Sequence, residues 1–446
     1  MKQNISMEEL DNFSSAYDKE KNYSLLSHPI MKSGIYNSAT DETLVNSIPF
    51  SFSIDVDSGN VCNQKRSGRC WMFAGLNVIR TILFDKLNVK NIELSQAYLQ
   101  FFDKLEKANF YFEAALKYAD EEYKSRNNLF ILDSANCDGG HFIMFKNLAK
   151  KYGVVPSQFM PDSAVACDTT ELNSVLNKYI TQGIKDLREA KKEGKTSTEI
   201  NSIKEKYLSD IYRILCMSIG KPVKSFKFEY TDKDNKFHSL KEMTPVEFYN
   251  EYIAEDFDEY MILCHAPLPH MEKYVKYTCD LVGNVVDGDK VVFFNIDLKD
   301  LKDAAINSLK DKHVLWFAAD VSSQSLRKEG YLVNGVLKTN ELFDIDYHMN
   351  KAERLTYRTS FCNHAMTLTG VNLTQDGTPN RWKVENSWGK ENGKDGYYVM
   401  SDEWFDEYLY QIIVKKSYVS EEILDKWNKA EYKKEDPFDT LWAEMR

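Results

Sequence analysis

Four residues, Gln64 and Cys70 near one end of the chain and His364 and Asn386 near the other, are of types that together could carry out acyl transfer. A thiol attacks a carbonyl as its thiolate, so it needs a base beside it, a group that orients the base, and donors for the developing oxyanion. The segment CNQKRSGRCWMFAGLN (62–77) puts Cys70 at the head of a long apolar stretch. There the positive end of a helix dipole favours thiolate over thiol. Gln64 precedes it across the basic run Lys65-Arg66-Ser67-Gly68-Arg69. A loop of that length folds the Gln64 amide back beside the Cys70 backbone N–H, giving two donors for an oxyanion hole. His364 opens HAMTLTGV and Asn386 lies in VENSWG, 22 residues later. An Asn carbonyl accepts an imidazole N–H and fixes its tautomer, and Trp388 shields that bond from water. Each residue alone reads as ordinary structure: a buried core thiol, a structural histidine, a turn asparagine. Their joint order, with CW and ENSWG intact, specifies a thiol-nucleophile site.

The elements that must position these residues follow from periodicity. After Cys70 the chain is apolar nearly all round to Asp85, which predicts a helix inside a domain. Residues 1–60 read as an extension, with a short helical start capped S-x-x-E at Ser6 and irregular sequence after it. Residues 61–165 read as a helical lobe: Ser95 opens one segment, Phe101 to Ala119 is helix, and CDGG (137–140) precedes another helix, His141 to Tyr152, stopped by Gly153 and Pro156. Residues 166–272 are Lys/Glu-rich and helix-prone, a charged helical insertion. Residues 273–415 turn strand-rich, with YVKYTCDLVGNVV, KVVFFNI, HVLWFAADV, HAMTLTGVNL, RWKVENSW and GYYVMS as strands and Asp376-Gly377 as a hairpin turn. Residues 416–446 form a C-terminal helix and arm. The sum is an α+β protein with two lobes.

These motifs resemble the papain-like cysteine peptidases, and more closely the bleomycin hydrolase / aminopeptidase C family. The likeness rests on NQKRSGRCWMFAGLN (SGRCW in place of the papain-type CGSCW), ELSQAYLQFFDKLEKAN, DGGHFIMFKNLAKKYGVVP, HAMTLTGV and WKVENSWGKENGKDGYYVMSDEWFDEY, and spans essentially the whole chain. From Cys70 to His364 is 294 residues, against about 130–150 in simple papain-like enzymes, and the excess falls in the insertion. The resemblance implies a papain-like two-lobed fold with helical insertions, and a homohexamer whose sites face a chamber. It implies a cytoplasmic thiol aminopeptidase acting on peptide substrates, with a C-terminal arm in the cleft. It makes Cys70, His364, Asn386 and Gln64 the catalytic set. Gly139, Gly140 and Trp388 become substrate-binding, the glycines letting an extended peptide approach the backbone. Three features depart from the family: Ala318-Ala319 where Gly and Cys are usual, His141 where Gln is common, and about four residues past the usual end. If extended, Ala443, Glu444, Met445 and Arg446 would reach about 13–14 Å and cross Cys70, so that the tail is either trimmed or displaced.

Bulk composition narrows the alternatives. A formal net charge of −11 argues against a nucleic-acid-binding or regulatory protein, the most remote reading. No run approaches the length of a membrane span, and MKQNISMEELDNF lacks a signal-peptide core. Eight scattered cysteines suit a reducing compartment, hence the cytoplasm. No cofactor or metal is expected. Cys264-His265, His270 and Cys279 have a spacing that matches no common zinc site, and Pro267 and Pro269 break it. The nearer alternative is an oligopeptide endopeptidase on the same scaffold.

Overall fold

The apolar run after Cys70 folds as the helix Cys70–Lys86, buried from Trp71 through Arg80. In the computed structural model, which describes residues 4–445, it lies between two layers. On one side are the helices Gln96–Lys117 and Phe142–Tyr152; Gly75 presses on the Phe145 ring. On the other is a twelve-stranded sheet. Its central strand His364–Leu373 runs antiparallel between Leu315–Ala319 and Pro379–Glu385. Leu409–Lys415, Tyr260–Cys264, Val292–Asn295 and Lys276–Thr278 extend it on the first side, and Tyr397–Ser401 on the other. One core fills the helical lobe and crosses to the sheet through Trp316 and Ala365; a second, around Phe317, Met366 and Trp382, lies on the sheet's far face.

Several sequence expectations change in detail. The N-terminal extension forms four helices, Met7–Lys19, Lys21–Ser33, Ile35–Ala39 and Glu42–Ser47; the first begins at the Ser6–Glu9 capping box. The helical insertion is the hairpin Thr170–Lys192 and Ser197–Ser218, followed by a two-stranded ribbon, Phe226–Thr231 with Phe237–Met243. Tyr260–Cys264 already belongs to the main sheet. The strand expected over 274–286 shrinks to Lys276–Thr278. After the helix Glu421–Lys429, the arm adds Tyr432–Lys434 in parallel to Lys276–Thr278 and ends in a 3-10 turn, Thr440–Met445. Arg446 and the side chains of 443–445 lie outside the described residues.

Candidate active site

Cys70 is the first residue of its helix, and the first four N–H groups of any helix have no acceptor within it. The loop leading to it is closed by its own side chains. The Gln64 Nε2 donates to the Ser67 carbonyl at 2.6 Å, and the Ser67 hydroxyl donates back to the Gln64 carbonyl at 2.6 Å. Arg69, 1% exposed, donates through Nε to Ser67 Oγ at 2.8 Å and grips Asp162 through both terminal nitrogens at 2.8 and 2.9 Å. Such a fork fixes position as well as charge. The loop between Gln64 and Cys70 is therefore rigid, not the flexible basic run its composition suggests.

His364 opens its strand, and Asn386 directly follows the end of the neighbouring strand. Asn386 Oδ1 is 2.8 Å from His364 Nε2 and also accepts the Ser387 N–H at 2.7 Å. With Nε2 turned to Asn386, Nδ1 is the nitrogen left for a thiol. Trp388 stacks on the imidazole, centroids 4.6 Å apart and planes 28° from parallel. Burial pushes the His364 imidazole down to about 4, opposed by the Asn386 hydrogen bond and reinforced by the Arg327 charge. An imidazolium there needs an anion beside it, and a thiolate would supply one.

Two sets of contacts join the loop to these strands. The backbone at 62–64 runs antiparallel to 387–389: Gln64 N–H donates to the Ser387 carbonyl at 2.8 Å, and Gly389 N–H to the Cys62 carbonyl at 3.1 Å. Gly389 has φ +83°, and a side chain there would collide with Asn63 and Glu391. The Ser387 hydroxyl donates to Gln64 Oε1 at 2.5 Å. Behind these residues, Arg80 of the Cys70 helix pairs at 2.5 Å with Glu385, the residue before Asn386, both fully buried. The strand of His364 also touches the helix, Thr367 Oγ1 reaching the Ala74 carbonyl at 3.5 Å, and Trp316 Nε1 donates to the Trp71 carbonyl at 3.0 Å.

Gly139 and Gly140 are held against the same helix. Trp71 Nε1 donates to the Asp138 carbonyl at 2.8 Å, and a Cβ on Gly140 would stand 2.6 Å from the Trp71 ring. Gly140 is thus required by Trp71 packing, whatever it does for a ligand. Two buried lysines aim the turn's carbonyls inward. Lys107 Nζ donates to Gly139 O at 2.6 Å, and Lys104 Nζ to Asn136 O at 3.0 Å while pairing with Asp138 at 2.6 Å. Lys104 and the Thr169 hydroxyl hold the Asp138 carboxyl well below the usual range, against the upward push of burial.

Gln64, His364, Asn386 and Trp388 thus stand in one bonded network, with Cys70 at the end of the clamped loop and the glycine pair behind Trp71. Sequence reasoning missed the braces: Ser67, Arg69, Asp162, Arg80, Glu385 and Ser387. Glu385 and Ser387 lie inside the ENSWG motif and Ser67 and Arg69 inside SGRCW, whereas Arg80 and Asp162 carried no signal. Cys264, His265, His270 and Cys279 do not assemble as a metal site. His265 Nδ1 is 3.0 Å from the Ile296 carbonyl, and Cys264 Sγ is 3.8 Å from Asn295 Oδ1. His270 instead lies with Glu435 and Asp439 of the arm, 2.9 Å from Asp439 Oδ2. All eight cysteines are free thiols.

The profile of the Peptidase C1-like family matches residues 4–441. The chain is 37% identical to aminopeptidase C of Lactobacillus delbrueckii subsp. lactis over 446 residues, covering 100% of this chain and 98% of that protein. It is 39% identical to aminopeptidase C of Listeria monocytogenes serovar 1/2a over 428 residues, 96% of each. Among solved structures, PepW from Lactobacillus rhamnosis HN001 superposes with a TM-score of 0.95 at 38% identity, covering 99% of both chains. The fold is the papain-like α+β one.

Proposed function

Because the chain belongs to the Peptidase C1-like family, and is a cysteine peptidase, we propose that it is an aminopeptidase, removing N-terminal residues from peptides through an acyl-enzyme on Cys70. The observation that carries the mechanism is the 2.8 Å bond between His364 Nε2 and Asn386 Oδ1 under the Trp388 ring. It leaves Nδ1 to take the thiol proton and then to give it to the leaving amine. The oxyanion formed on thiolate attack lies between the Cys70 N–H and the second N–H of Gln64 Nε2, whose first is spent on Ser67. Gly139 and Gly140 present backbone to the substrate on the acyl side.

The relatives' names support exopeptidase action, and so does the arm's position. Trp442 is fully buried and stacks on Phe293 at 4.7 Å, with the His141 ring 6.2 Å away and next to Gly140. Such an anchor supports an arm that closes the acyl side of the cleft to a long chain. His141 thus acquires a role in seating the arm. The helices Met7–Lys19 and Lys21–Ser33 bury no residue within the protomer, and Phe13 and Met31 are 61% and 86% exposed. Uncovered apolar area of this kind marks an interaction face and supports the homohexamer, with the extension as its contact. Eight free thiols support a reducing, cytoplasmic setting. No described helix is long and apolar enough to cross a membrane.

One chromogenic peptide, offered with a free and with an acetylated N-terminus, tests the reading. The free-amine form is expected to be cleaved at its first bond, and Cys70→Ser to abolish that cleavage. Equal cleavage of both forms would transfer the proposal to the endopeptidase alternative.

A further inference from the structure

In acyl transfer from a peptide, the leaving amine takes its proton from the base, so the departing peptide must lie on the His364 side of the thiol. On that side the chain builds a cavity. Asn363, the residue before His364, donates from Nδ2 to Asp320 Oδ1 at 2.6 Å and to Ser322 Oγ at 3.2 Å, and accepts the Val321 N–H at 3.0 Å. Ser322 lines a cavity of about 470 Å³, which therefore begins one side-chain contact from the residue beside the base. The same segment reaches Trp388 at its other end, where the Arg327 guanidinium lies 5.3 Å from the ring centroid.

The opposite wall carries cations. Lys338 lines the cavity with its side chain 44% exposed, and its carboxylate neighbour Glu341 stands 3.9 Å away, at the limit of an ion pair. Arg354 also lines it. Its terminal nitrogens are used by Glu407 at 2.5 Å and the Met349 carbonyl at 2.8 Å, while its buried Nε has no hydrogen-bond partner among the described residues. Its guanidinium adds positive charge to the wall, partly offset by Glu407, and leaves Lys338 as the cation open to a ligand. The N-terminal extension completes the wall. Tyr36 lines the cavity, and the segment is fixed there by Asp41 N–H to Val336 O at 2.9 Å and Lys338 N–H to Ala39 O at 2.8 Å.

We infer that this cavity takes the C-terminal carboxylate of the departing peptide, with Lys338 as its counter-ion, so that the preferred substrates are short peptides with a free C-terminus. Extended chain advances about 3.3–3.6 Å per residue, so a leaving group of two or three residues carries its carboxylate about 7–11 Å beyond the base. The inference deepens the aminopeptidase reading and rests on it for the direction of the peptide.

The test compares kcat/KM for tetra-alanine as free acid and as C-terminal amide. A charge-assisted contact predicts a preference of about tenfold for the acid. Lys338→Gln should bring the ratio close to one, and Lys195→Gln, on the turn of the helical hairpin, should leave it. An alanyl arylamide places no residue in the cavity, so its hydrolysis reports the aminopeptidase reading separately. Calorimetric binding of trialanine to full-length Cys70→Ser needs no turnover: the acid should bind more tightly than the amide, and Lys338→Gln in that background should remove the difference. A ratio near one in the wild type, equal binding of acid and amide, or a preference that survives Lys338→Gln overturns the inference.

Discussion

Gln64→Ala tests the proposed oxyanion hole. The side chain is fixed at both ends, Nε2 on the Ser67 carbonyl at 2.6 Å and Oε1 under the Ser387 hydroxyl at 2.5 Å. A donor so held is in place before charge develops, and its loss removes transition-state stabilisation with little effect on substrate binding. Loss of one preorganised donor costs about 10²–10³ in kcat, and KM should hardly move. Ser387→Ala frees only one end of the amide and leaves Nε2 on Ser67. The loss there is one neutral hydrogen bond, about 1 kcal/mol, or roughly fivefold in kcat. Gln64→Glu puts an oxygen against the Ser67 carbonyl and should be at least as damaging as alanine. The assay is steady-state hydrolysis of an aminoacyl arylamide, normalised by thiol titration to the concentration of competent sites. Gln64 is 7% exposed, so thermal midpoints must accompany the rates to separate lost chemistry from lost fold. If Gln64→Ala keeps kcat within about threefold of wild type, where loss of an oxyanion donor requires about a hundredfold, the clamped loop has a structural purpose only.

Other outcomes follow from the same geometry. Iodoacetamide at pH 6 should label Cys70 ahead of the other cysteines, and peptide mapping reads the result; burial pushes Cys62 up to about 12 and Cys279 up to about 11, and raises Cys137 and Cys264. In Cys70→Ser no thiolate supports an imidazolium, so His364 should titrate at about 4 by NMR, and higher in the wild type. Its folded value lies below that of the unfolded chain, so the stability of neutral His364 is complete above pH 6.5 and is lost as pH falls towards 4. The loss in the variant is about 3 kcal/mol, and acid melting curves of the two proteins should diverge in that window. Deleting residues 1–47 should convert an assembly of about six times 51.8 kDa to smaller species in sedimentation; an unchanged mass would remove the extension from the interface.

The site was legible because its residue types are constrained by chemistry: a thiol at a helix start, an imidazole at a strand start and an amide on the next strand must keep their identity wherever the loops run. What braces them is constrained only in three dimensions. Arg80 and Glu385 form a buried pair across 305 residues, and although Glu385 opens the ENSWG motif, nothing in the sequence joins it to Arg80, one more charged residue in an apolar run. Periodicity failed where tertiary burial replaced it. The apolar residues of 279–286 suggested strand, yet Leu281, Val282 and Val285 fill the helical-lobe core from a turn. That turn is pinned by Tyr111 OH on the Leu281 carbonyl and by Asn284 on Asp103. The extension reads as irregular after its helical start, but Pro29 lies within the helix Lys21–Ser33 and Gly34, at φ +87°, ends it. The helix Leu298–Lys310 did carry a signal, Leu301, Ala305 and Leu309 at four-residue spacing, obscured by the strands on either side of it.

The tail is where the sequence reading is corrected most usefully. Taken as extended, the last four residues would cross the thiol. The structure winds Thr440–Met445 as a 3-10 turn, which advances about 2 Å per residue, so the reach falls to little more than half. Its anchors are upstream. Asp436 pairs with Arg126 at 2.5 Å, Phe438 packs edge-on to Phe130 at 5.5 Å, and Leu441 and Trp442 are buried with the helical lobe. A peptide bond must be extended in a cleft to be cut, so trimming at Trp442–Ala443 first requires this turn to unwind and Trp442 to leave Phe293. Emptying a buried tryptophan site costs about 3–5 kcal/mol, which makes self-trimming rare in the folded enzyme. The intact mass of purified wild type should therefore equal that of Cys70→Ala apart from the substituted side chain, with Ala443–Arg446 retained in both. Deletion from Leu441 should lower the thermal midpoint and, by opening the acyl side, raise cleavage of acetylated peptides relative to free-amine ones. Loss of the last four residues from the wild type alone would show that the turn opens readily. The arm would then be a product of the enzyme's own activity, not a fixed part of its specificity.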